Sequence, residues 1–82
     1  MDRNSIIVGG VYTITRRDLG GTRYTALYDG RQFINVRVVA VEDGHFVCAT
    51  RDENGRHLGP GNCWISRDTL ILRPEDLEPS QA

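Results

Sequence analysis

Residues 32–51, QFINVRVVAVEDGHFVCATR, hold two runs rich in β-branched and aromatic residues that meet at Asp43-Gly44. Val, Ile and Phe fit a pleated, half-buried surface. An Asp-Gly pair between such runs favours a two-residue type I′ turn, because both central positions need positive φ and glycine supplies that without a Cβ clash. The stretch therefore predicts a β-hairpin in which Glu42 pairs with His45. Counting outward from that pair with a period of two places Val36, Val38, Ala40, Val47 and Ala49 on one face. Arg37, Val39, Val41, Phe46 and Cys48 share the other. Both faces are largely apolar, whereas a lone hairpin with one wet side needs only one apolar face. Two readings follow: a bulge near Ala40 or Val41 swaps the facing in a curled sheet, or something else covers the second face.

The flanking sequence extends the all-β reading. Ile6-Ile7-Val8, then Gly9-Gly10, then Val11-Tyr12-Thr13-Ile14-Thr15 reads as an entry segment, a turn and a first strand. Residues 16–23 are polar and carry Gly20-Gly21, so they read as a loop, and strand character resumes from Tyr24 to Tyr28 before a second turn at Asp29-Gly30. Residues 52–62 contain Asn54-Gly55 and Gly59-Pro60-Gly61 and predict a long hairpin tip. Ser66-Arg67-Asp68 has room for one helical turn, and Thr69-Leu70-Ile71-Leu72-Arg73 reads as the closing strand. The domain is expected over residues 1–73, with residues 74–82 as an acidic C-terminal tail carrying Glu75, Asp76 and Glu78.

Eighty-two residues allow one small domain whose core leaves a few kcal/mol of net stability unless association adds burial. All ten cationic residues are arginine. Residues 1–41 carry a net +3 and residues 42–82 a net −4, for a total of −1, far from the strongly basic balance of a dedicated nucleic-acid binder. The first ten residues lack the basic and apolar regions of a signal peptide, no apolar run reaches membrane-spanning length, and two cysteines are too few for a disulfide framework. The expectation is a soluble, cytoplasmic chain with reduced thiols, no membrane partner and no small-molecule substrate.

Five short strands, a glycine-marked start and a single-turn element before the last strand resemble the SH3-like small barrel, Tudor-like variants included. Thr25-Ala26-Leu27-Tyr28-Asp29 resembles the opening Ala-Leu-Tyr-Asp of peptide-binding SH3 domains, and residues 64–70, WISRDTL, look like their single turn leading into the closing strand. Val36-Arg37-Val38, the Asp43-Gly44 turn, Phe46-Val47-Cys48 and a turn at Gly55 follow the Tudor-like order. This resemblance implies an all-β, five-stranded SH3-like barrel over most of residues 8–73, with one single-turn helix before the last strand. Trp64 is the sole tryptophan, so the paired tryptophans of a proline-peptide groove are missing and that activity does not carry over. Tyr24, Tyr28 and Phe33 could form an aromatic cage for a cation, or they could plug a barrel end. The size and arginine-only surface also resemble accessory proteins of phages and mobile elements.

No catalytic or cofactor signature stands out, so the chain is not expected to be an enzyme. His45, Cys48, His57 and Cys63 are the soft metal ligands, and their intervals match no paired knuckle of a zinc site. Two contact surfaces remain. Val39, Val41, Phe46 and Cys48 would form a protein-binding or homodimer face if the opposite face is the core, since such residues left wet forgo several kcal/mol at about 25 cal/mol per Å². The alternative is a nucleic-acid surface from Arg16, Arg17, Arg23, Tyr24 and Arg31, where guanidinium forks grip phosphates and an aromatic face stacks on a base. A solvated loop offset by Asp18 and Asp29 competes with it.

Overall fold

The computed structural model describes residues 1–14, 26–28, 31–59, 62 and 67–80, with residues 26–28 and 31–33 described by their backbone alone. Its strands are β1 (Val11–Ile14), β2 (Ala26–Tyr28), β3 (Arg31–Glu42), β4 (His45–Ala49), β5 (Thr69–Leu72) and β6 (Glu78–Pro79). Helical structure among the described residues is limited to 3-10 conformation at Arg3–Ser5, at Asn62 and at Pro74–Asp76. The fold is all-β and antiparallel. Five strands run in the order β5-β4-β3-β1-β6, and β2 pairs with the start of β3 off this path.

The hairpin forms at the expected register. Glu42 pairs with His45, and Asp43 and Gly44 take φ of 48° and 78°, the left-handed values that a type I′ turn demands. Between Val38 and Ala40 the ladder slips by one residue, so that Val38 faces Cys48 while Ala40 faces Val47. Val39 is the extra residue of a β-bulge. A one-residue slip exchanges the faces of everything beyond it. Val36 and Val38 consequently share an interior with Phe46 and Cys48, and Ile6, Tyr12, Ile14, Ile34, Leu70, Leu72 and Leu77 complete it.

Residues 74–79 belong to the fold, which corrects the expected boundary at residue 73. Leu77 is fully buried, and Tyr12 and Thr13 of β1 pair with Pro79 and Glu78 of β6. The acidic composition of this stretch concealed a single apolar residue on which its docking depends. Pro74-Glu75-Asp76-Leu77, which the sequence allows to start a final short turn, does so as a 3-10 turn at Pro74–Asp76; of the separate turn expected at Ser66-Arg67-Asp68, Ser66 lies outside the described residues and Arg67 and Asp68 are not helical. Proline suits the start of such a turn because its missing N–H has no intrahelical partner to lose.

A buried polar cluster covers the other side of β1 and β3. Thr13 Oγ1 donates to Asn35 Oδ1 at 2.8 Å. The N–H and C=O of Asn35 point away from β1, toward the gap between the stretch of β3 paired with β2 and the stretch paired with β4. Asn62, fully buried, fills that gap. Its Oδ1 accepts from the Asn35 N–H at 2.9 Å, and its Nδ2 donates to the Asn35 and Thr50 carbonyls at 2.6 and 2.8 Å. One carboxamide thus supplies the donor and acceptor that a neighbouring strand would have offered.

Candidate protein-binding face

The bulge divides the four residues expected to form the protein-binding face. Phe46 is 2% exposed and Cys48 is fully buried, so both are core and neither can meet a partner. Val39 and Val41 remain on the surface at 48% and 45% exposure. The period-2 count assumed an unbroken ladder, and the extra residue at position 39 invalidated it beyond the bulge. Burial also raises the Cys48 thiol from 9.0 to about 11, because desolvation disfavours the thiolate.

The apolar surface lies instead on the outer face of β3, β4 and β5. Directly paired residues of an antiparallel sheet share a face, and the register sets Ala40 beside Val47 and Val47 beside Ile71. Since Phe46 pairs with Leu72 and Cys48 with Leu70 on the core side, this row points outward. Ala40 and Val47 are half-buried, and Ile71 is 59% exposed. Glu42 and His45 flank it toward the turn, and on the other side Arg37 and Thr69 flank it with Ala49 between them. An apolar centre with a polar rim is the usual anatomy of a contact surface.

The chain entering β1 leaves two further aliphatic side chains exposed. The Gly10 N–H donates to the Ile7 carbonyl at 2.9 Å, closing a turn, while the Gly9 N–H donates to the Val38 carbonyl at 2.7 Å. With Gly9 at φ 93°, the turn presents the exposed Ile7 and Val8 next to the bulge. Ile71 and this turn were missed as surface residues, although the alternation in Thr69-Leu70-Ile71-Leu72 would have singled out Ile71 once Leu70 and Leu72 were taken as core.

Arg16, Arg17, Arg23 and Tyr24 lie outside the described residues, and Arg31 is placed only as the first residue of β3, paired with Tyr28. The metal-ligand set does not converge among the described residues: His45 sits at the hairpin turn with its Nδ1 3.1 Å from the Asp43 carbonyl, whereas Cys48 faces the core. No group of three or more His, Cys, Asp or Glu among the described residues could hold a metal ion. No described helix is long and apolar enough to cross a membrane. No family model, curated protein or solved structure matches the chain.

Proposed function

We propose that the chain is a non-enzymatic SH3-like binding module whose outer β3–β5 face engages a protein partner or a second copy of the chain. The observation that carries the reading is the outward row Ala40, Val47 and Ile71, together with exposed Val39, on a domain whose core closes without them. Aliphatic side chains left in water on so small a sheet gain free energy when a partner covers them. The SH3-like assignment is supported by the return of β6 to β1 after a single 3-10 turn.

Val47→Lys tests the face, because it places a charge at the centre of the row and leaves the core untouched. Binding measured by calorimetry or light scattering is expected to fall at least about tenfold in this variant and to be insensitive to ionic strength in the wild type. Binding that Val47→Lys leaves intact would remove the proposal. A complex with single-stranded nucleic acid that weakens steeply with salt would transfer the function to the arginine-rich segment.

A further inference from the structure

The free edge of β5 offers a second feature, distinct from the face. Two independent observations set the direction of its backbone groups. The Thr50 N–H donates to the Asp68 carbonyl at 3.0 Å, which makes that pair, and then every second pair along the β4–β5 ladder, the hydrogen-bonded ones. Counting from the two-residue turn gives the same phase, since Glu42 and His45 close the hairpin and leave Phe46 and Cys48 to bond toward β5. Asp68, Leu70 and Leu72 therefore bond inward to β4. Thr69, Ile71 and Arg73 point their N–H and C=O groups away from the sheet.

Arg73 is already satisfied: its N–H donates to Asp76 Oδ2 at 3.1 Å and its carbonyl accepts from the Asp76 N–H at 2.9 Å. Among the described residues nothing bonds to the outward N–H and C=O groups of Thr69 and Ile71, both of which are exposed. Native proteins commonly blunt such an edge with charge, proline or a bulge. Here the far end is capped by the Pro74–Asp76 turn and the middle is left open.

We propose that β5 pairs antiparallel with β5 of a second copy of this chain about a two-fold axis at Leu70. Thr69 then faces Ile71 of the other copy, and each such pair exchanges two hydrogen bonds, so four bonds use the four open donors and acceptors. Register parity keeps the outer faces together, placing Ile71 of each copy diagonally across from the other and joining the two apolar rows into one. The same register sets Arg67 of each copy opposite Arg73 of the other, a like-charge pair at each end that Glu75 and Asp76, just beyond Arg73, offset in part. The pairing is carried by the four backbone bonds and the joined apolar row. This inference deepens the protein-binding reading by naming the partner, and it rests on that reading only for the apolar row.

Concentration-dependent sedimentation with backbone amide exchange tests it on the whole chain. The wild type is expected to pass from monomer to dimer with rising concentration, and the Thr69 and Ile71 amides should become protected in step. Thr69→Pro removes an outward N–H at the first position of the strand, where proline is tolerated, and should raise the dissociation constant at least about tenfold. Thr69→Ser, which keeps the N–H, should leave it unchanged. A wild type that stays monomeric, or amides that exchange equally fast at all concentrations, overturns the edge dimer. A dimer broken by Val47→Lys and indifferent to Thr69→Pro also overturns it, while leaving the outer face as the binding surface.

Discussion

Cys48 illustrates how one buried atom acquires a measurable property. With its pKa raised by burial from 9.0 to about 11, the folded state holds the thiol proton to higher pH than the unfolded chain does. Its contribution to stability is therefore full below about pH 9 and declines as pH rises from about 9 toward about 11. The slope is up to about 1.4 kcal/mol per pH unit, readable from urea unfolding at successive pH values. The same thiol should resist an alkylating reagent at pH 8 until the chain is unfolded. Asn62 offers a second residue-scale expectation. Replacing it with Ala leaves the Asn35 N–H and C=O without their partner and removes one of the bonds to Thr50. The loss should be about 2–4 kcal/mol, measured by thermal or urea denaturation. Asn62→Asp should fare little better, because a carboxylate has no N–H for the two carbonyls.

Within the β3–β4 hairpin, the turn and the bulge divide the work. Asp43-Gly44 sets the near half of the ladder and was legible from its residue types alone. A Cβ on Gly44 would lie 3.7 Å from the Arg3 guanidinium, an ordinary contact, so the penalty of Gly44→Ala arises from φ of +78°. That penalty should be about 1 kcal/mol, visible as a lower unfolding midpoint with an unchanged denaturant slope. The bulge was legible as one of two readings and to within a residue or two, near Ala40 or Val41, but not as Val39 itself. Nothing about Val39 distinguishes it locally from Val38 or Val41; the warning was the excess of apolar residues on both faces. Its cause lies in packing, since an unbroken ladder would have put Val36 and Val38 on the opposite side from Phe46 and Cys48 and divided the core between them.

At the scale of the whole molecule, the last strand and its approach supply part of the core and of the sheet. Leu77 is fully buried and follows directly on the Pro74–Asp76 turn. Leu77→Ala should cost about 2–5 kcal/mol, a large fraction of the stability available to a domain of this size. Calorimetry should show a sharply lowered melting temperature. The sequence by itself determined the all-β class, the Asp43-Gly44 turn and the pairing of Glu42 with His45, because each depends on local backbone preference or a period of two. It did not determine which valines are wet, that residues 74–79 are part of the fold, or that Asn62 stands in for a strand. Those were decided by tertiary structure, because each depends on contacts between residues far apart in the chain. The face built from Val47 and Ile71 exists only because the ladder slips at Val39, and the physical reason for the slip is that one small core cannot be filled from two sides of the same hairpin.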